Sequence, residues 1–364
     1  MRFNDTDRAV DPSGREALET MLATRAAAPA TLTRSKYAAL SADERSDYND
    51  ARVAWLSGGI IAGTPSLHRA KTTIRSLMSQ NLRRNSGHLG LMISGDSTLG
   101  KTFISEAVMK YTYRAYEKQF PDFRSAGRVP VVRIEVPAGC TGKLLMIAFA
   151  QFFGISHARS ETADAIRHRV VDALNAARTQ LIVVDELHNL TAANRGNGES
   201  IDILKSLHNQ VPALFVYLGI DLNQGALLGG TRGQQLSARF SQITLPRYNL
   251  SNTDHMDEWL SLIHAFESAL PLLDHKQGTL TDLATYLHDR TGGSIGSLGR
   301  LVLGAAIDLI DDPDIQAEAL TREVLDAQIL DIKAEDHYAT RPISAKTTQT
   351  TKTTKTTKTK RTQS

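Results

Sequence analysis

The stretch Gly95-Asp96-Ser97-Thr98-Leu99-Gly100-Lys101-Thr102 decides the fold. It fits G-x-x-x-x-G-K-[ST] at every position. The apolar run LGLMIS (89–94) precedes it and a helical pattern from Phe103 to Tyr116 follows. Strand, glycine-rich loop and helix in that order are the context a phosphate-binding loop needs. Its glycines let backbone N–H groups curl round phosphate oxygens. Lys101 is placed to reach β- and γ-phosphates, and the Thr102 hydroxyl to ligate Mg2+. Gly95 through Thr102 are therefore the candidate nucleotide-binding segment.

About eighty residues further on, Leu181-Ile182-Val183-Val184-Asp185-Glu186 reads as a buried strand ending in two carboxylates. Alone this is weak, because many strands end in acids. Paired with the loop, it gives Asp185 a place in the Mg2+ shell. Glu186 then orients or deprotonates an attacking water. Apolar runs also occur at 129–136, 213–220 and 242–248, separated by amphipathic segments. Five such runs predict a parallel five-stranded sheet between helices, over residues 55–250.

From Ser251 to about Lys333 the apolar residues keep helical spacing, as in Trp259, Ile263, Phe266 and Leu270. This predicts an all-helical second unit over 251–335. Residues 1–54 read as a polar, partly helical extension, with Ser41 and Glu44 forming a capping box. Residues 336–364, rich in Thr and Lys, read as a disordered basic tail.

The chain has 364 residues and a formal charge of +3. The last twenty residues carry six cations and no acid, which leaves the body with 36 basic against 39 acidic residues. The body is thus not a uniformly basic nucleic-acid binder. Residues 51–95 are an exception, with Arg52, Arg69, Lys71, Arg75, Arg83 and Arg84 and no acid. That stretch is open to three readings: a DNA surface, a frame for adenine near Thr64-Pro65, or the polar face of a helix. No run of 18 apolar residues and no signal sequence is visible. Cys140 is the only cysteine, which fits a reducing cytoplasm and excludes an internal disulfide. His188 follows the acidic pair with no second His or Cys at ligand spacing, so a metal site there is not expected.

Two further segments bear on chemistry. Arg239, in QLSARF (235–240), either reaches a neighbouring subunit's phosphate or makes a surface ion pair. TGGSIGSLGR (291–300) opens a helix that either approaches a nucleotide, with Arg300 two turns in, or packs on another helix through its glycines.

GDSTLGKT, VVDELHNL, QLSARF and TGGSIGSLGRL, in this order, resemble the TniB/TnsC branch of AAA+ ATPases, the ATP-dependent regulators that accompany transposases. The resemblance covers about residues 35–335. It implies an αβα ATPase core with a helical lid, using ATP and Mg2+. It also implies slow hydrolysis stimulated by DNA or partners, and homo-oligomers, rings or filaments, on double-stranded DNA. Contacts to a transposase and a TniQ-like adaptor follow, in the cytoplasm and with no membrane. By position, Lys101 and Thr102 match the phosphate loop, and Asp185 and Glu186 the magnesium and water-activating carboxylates. Arg239 matches the finger arginine and Arg300 the second sensor. Relatives often carry Gly-Thr after the fourth strand, whereas this chain reads Gly219-Ile220-Asp221. The family's DNA-facing loops imply DNA contacts at Thr141, Lys143 and Arg159. Thr141 as a helix cap and Lys143 as a solvated charge is the competing reading. A replication-initiator or helicase-loader ATPase, or an ATP-binding scaffold that never hydrolyses, are the alternatives.

Overall fold

A computed structural model describes residues 12–25, 27–58, 63–190, 197–222 and 237–340. Five strands form one parallel sheet: β1 (Gly90–Ser94), β2 (Val131–Glu135), β3 (Leu181–Asp185), β4 (Leu214–Gly219) and β5 (Phe240–Thr244). Their order is β2-β3-β4-β1-β5. Each matches an apolar run, and β5 begins two residues earlier than its run predicts. In β1, β3 and β4 every residue is buried, and in β2 all but Glu135. Such strands need cover on both faces. The edge strand β5 exposes Ser241, Gln242 and Thr244.

The helices that precede and follow β1, α4 (Pro65–Asn81) and α5 (Lys101–Gln119), pack against each other and the sheet. Helices α6 (Gly142–Phe152), α7 (Ala163–Ala176) and α8 (Asn197–Gln210) pack together. β1 to β2 runs one way across the sheet, whereas β2 to β3 and β3 to β4 run the other. Right-handed crossovers then put the two helix groups on opposite faces.

A second core surrounds Trp259, which is fully buried and donates through Nε1 to Ala284 O at 3.0 Å. It is built by α9 (Thr253–Ser268), α10 (Thr279–Asp282), α11 (Ala284–Thr291), α12 (Ile295–Asp311), α13 (Arg322–Asp326) and α14 (Ile332–Ala339). No strand occurs among its described residues.

Three findings correct the boundaries expected from sequence. First, α1 (Arg15–Ala23) is not outside the fold. Leu18 and Leu22, one turn apart, are buried in the sheet's core. Second, α2 (Arg34–Ala38) and α3 (Ala42–Ser57) belong with the helical unit. Leu56 joins the Trp259 core, and Arg34 bonds Asp274. Arg52 is fully buried and bonds Glu318 at 2.5 and 3.1 Å and Pro271 O at 3.1 Å. A buried guanidinium requires such pairing. Arg52 is therefore excluded from any DNA surface, whereas Arg69, Arg75, Arg83 and Arg84 are exposed. Third, residues 336–339 are helical, as the end of α14. Residues 341–364 lie outside the described residues, as do Gln235 and Leu236.

Candidate functional site

The phosphate loop leaves the carboxyl end of β1 and enters α5 directly. Thr98 and Gly100 both take left-handed backbone angles, φ +69° and +84°. The first is strained for a residue with a β-carbon. Lys101 is buried, and its Nζ bonds Gly95 O at 2.7 Å and Asp96 O at 2.8 Å. Burial pushes its ammonium below the usual lysine range. Glu186, Asp185 and Asp96 oppose that shift, while the charge of Lys333 on α14 adds to it. The structure thus brings Lys101 within electrostatic reach of both carboxylates.

Asp185 ends β3. Its Oδ1 accepts from the Glu186 amide at 2.9 Å, and its Oδ2 from Arg133 at 3.0 Å. Arg133 is buried on β2 and also reaches Glu135 at 3.1 Å. Glu186 is half-exposed and has φ +54°. Thr102 is exposed at the start of α5. Among the described residues, no cluster of three or more acidic, His or Cys side chains is set to enclose a metal. Mg2+ keeps several waters and takes one or two protein oxygens plus substrate phosphates. Thr102 and Asp185 would be those protein ligands.

The start of the lid helix α12 meets the loop, while Gly299 further along faces Phe266 of α9 and the helix packs on α3 and α11. Ser294 Oγ lies 2.9 Å from both Thr98 O and Thr98 Oγ1, and the Gly296 amide donates to Thr98 O at 2.8 Å. A β-carbon on Gly296 would stand 2.5 Å from that oxygen, so this approach needs glycine. Arg300, further along α12, is exposed. Next to the loop, a narrow cleft is lined by Ser66, Leu99, Phe103, Tyr248 and Ile295. Thr64 borders it and caps α4 through Leu67 N at 3.1 Å.

Arg239 stands at the opposite end of the sheet from the phosphate loop, at the amino end of the edge strand β5. It precedes β5, whose Phe240 pairs with Gly90 at the start of β1, and its NH1 bonds Asn209 Oδ1 at 2.6 Å. β1 alone spans about 13 Å. Arg239 therefore cannot serve its own phosphate loop. Thr141 accepts from Leu144 N as the cap of α6. Lys143 Nζ bonds Arg159 O at 2.8 Å, which brings the two residues onto one exposed surface.

Three functional contacts escaped the sequence. Arg247 lies 3.7 Å from Asp96 and 3.4 Å from Gly292 O, between loop and lid; its only signal is a cation just past the last strand. The Arg133–Asp185 pair was signalled by a lone cation in the apolar run VVRIEV. The docking of Ser294 and Gly296 on Thr98 had no local signal.

Among the described residues, no single helix is long and apolar enough to cross a membrane. The fold resembles the ORC2 protein of Aeropyrum pernix in ADPNP and ADP complexes. The TM-score is 0.52 with 16% identity over 76% of this chain and 68% of that one. It also resembles the ORC1 protein of Aeropyrum pernix in complex with DNA, with a TM-score of 0.51 and 15% identity over 78% and 69%. A search of curated proteins gave no match. The fold is that of an AAA+ P-loop NTPase with a helical lid. The family model described as bacterial TniB protein matches residues 52–250, more than half of the chain. The chain belongs to the TniB family.

Proposed function

We propose that this protein hydrolyses ATP slowly, assembles on double-stranded DNA in its ATP state, and recruits or activates a partner transposase. One observation carries the reading. Lys101, Asp185 and Glu186 gather at one end of the sheet, while the arginine that would complete them, Arg239, stands at the other. Such an active site works only when a second copy supplies the arginine.

ATP fits the residues present. The purine would enter the cleft against Leu99, Phe103 and Tyr248, and the phosphates would meet the loop's N–H groups and α5's amino end. Lys101 would exchange Gly95 O and Asp96 O for phosphate oxygens. Glu186 would take the water's proton. Bound Mg2+ would neutralise charge on the β- and γ-oxygens. A cytoplasmic setting and a TniQ-like adaptor belong to the same reading. Thr141, Lys143 and Arg159 would face the DNA backbone without reading bases.

The test is phosphate release by wild type and Glu186→Gln, with and without double-stranded DNA. Wild type is expected to hydrolyse faster with DNA, and Glu186→Gln to bind ATP without turnover. Equal rates for the two proteins would overturn the role of Glu186. Capture of a replicative helicase in place of a transposase would favour the loader alternative.

A further inference from the structure

The imidazole of His188 stands between Glu186 and the carboxyl end of β4. Its Nδ1 lies 3.2 Å from Glu186 Oε2 and 3.3 Å from the Ile220 amide nitrogen. The two neighbours make opposite demands. A carboxylate only accepts and a backbone N–H only donates, whereas one ring nitrogen does one or the other. With a proton on Nδ1 the ring holds Glu186 and leaves Ile220. With Nδ1 bare it holds Ile220 and leaves Glu186.

The ring's place is fixed by its segment. Leu187 and Leu190 are buried on either side. Asn189 donates from its amide to Glu186 O at 2.8 Å and from its side chain to Val136 O at 3.0 Å. The far partner is tied to the phosphate loop: Gly219 O accepts from Gly95 N at 3.3 Å, and Leu222 N donates to Ser94 Oγ at 3.2 Å. Ile220 brings no polar side chain to this end of β4, and the imidazole meets its backbone amide. A continuous path therefore runs from Glu186 through His188 and the end of β4 to Gly95.

We propose that His188 is a positioning residue for hydrolysis, whose Nδ1 fixes the Glu186 carboxylate and couples it to the end of β4. With Nδ1–H on Oε2, the other carboxylate oxygen is left to take the water's proton. When β4's end shifts with the loop, the ring gives its Nδ1 proton to solvent and takes one on Nε2, so that the bare Nδ1 accepts from the Ile220 amide and the carboxylate is released. This rests on Glu186 being the water-activating group.

The experiment is steady-state ATP hydrolysis and ATP binding by the full-length protein with double-stranded DNA. His188→Asn, His188→Phe and His188→Ala are compared with wild type, alone and on Glu186→Gln. Asn keeps a polar atom where Nδ1 sits, whereas Phe keeps only the ring's shape. The Phe and Ala variants are expected to lower kcat about tenfold, part of what a well-placed base contributes. KM for ATP and the thermal midpoint should stay near wild type, and Asn should recover most of the loss. On Glu186→Gln, which is expected not to turn over, the Phe substitution should leave ATP binding unchanged, since the ring acts through the carboxylate. A kcat for His188→Phe close to wild type would overturn the proposal. So would Asn no better than Phe, or loss of ATP binding in step with activity. Failure of the underlying reading looks different: Glu186→Gln itself hydrolyses normally, and the proposal then falls with it.

Discussion

Gly296 lies directly against Thr98, its amide bonded to the Thr98 carbonyl at 2.8 Å, with no room between them for a β-carbon. The lid's first turn is thereby locked to a residue of the phosphate loop that is itself held in a left-handed conformation. Whatever moves the loop also moves the lid. Gly296→Val should push α12 off the loop and lose this hydrogen bond, which is worth about 1 kcal/mol. ATP affinity should fall about fivefold in an equilibrium titration, with the thermal midpoint also lowered. An unchanged affinity would separate lid docking from nucleotide binding.

The Arg133–Asp185 pair is buried on both sides. Removing one partner of such a pair typically costs about 3–5 kcal/mol, because the other charge is left without compensation. Arg133→Met should therefore destabilise the protein by roughly 3 kcal/mol in urea unfolding. Adding Asp185→Asn should recover part of that loss. If the double variant is no more stable than Arg133→Met, the lost stability comes from packing rather than from an unpaired carboxylate.

The sheet and the phosphate loop were legible because their signals are local. A buried parallel strand is largely apolar, so the runs of β1 to β4 stood out, whereas the half-exposed edge strand β5 was marked only by Ile243 and the residues after it, and the loop's glycines sit at fixed spacing. The parts that were missed rest on long-range pairing. Arg52 reads as one cation in an acid-free stretch until Glu318, far along the chain, neutralises it. Leu18 and Leu22 carry helical spacing in REALETMLA, but a polar, Ala-rich surround hid a face that only the sheet's core explains. Thr98 meeting Ser294 and Gly296 is a tertiary contact, and no periodicity announces it.

His208 gives the fold a pH dependence. It is fully buried against Phe215 and Phe240, neither ring nitrogen has a partner, and burial pushes its pKa down to about 3. The charges of Arg239 and His88 act in the same direction. The unfolded chain takes up a proton on this histidine below its ordinary value of 6.5, whereas the folded protein refuses it until about 3. Stability should therefore fall as pH drops through that window, by up to about 1.4 kcal/mol per pH unit from this residue. His208→Phe should flatten the slope in urea unfolding at a series of pH values. An equal slope in the variant would assign the acid sensitivity elsewhere.

DNA binding should divide between the basic tail and the Lys143 surface. The last twenty residues carry six cations. If half of them meet phosphates, deletion after Ser344 should flatten the salt dependence of DNA binding by roughly 2–3 units. Lys143→Ala should weaken binding only with ATP, because its surface would meet DNA only in the assembled protein. Titrations at several salt concentrations, with and without ATP, check both. An unchanged slope would leave the tail without a DNA role, and an ATP-independent loss would remove Lys143 from the assembled path.

Because Arg239 stands a full strand's length from its own phosphate loop, hydrolysis should belong to pairs of subunits. The measurement is phosphate release from an equal mixture of Lys101→Ala and Arg239→Ala proteins, with double-stranded DNA present. Each variant alone should be nearly inactive, the first through its pocket and the second through its missing arginine. The mixture should recover activity well above the sum of the two, since some contacts then join an intact Glu186 pocket to an intact Arg239. No recovery in a mixture shown to co-assemble, or full activity of Arg239→Ala alone, would contradict a shared active site.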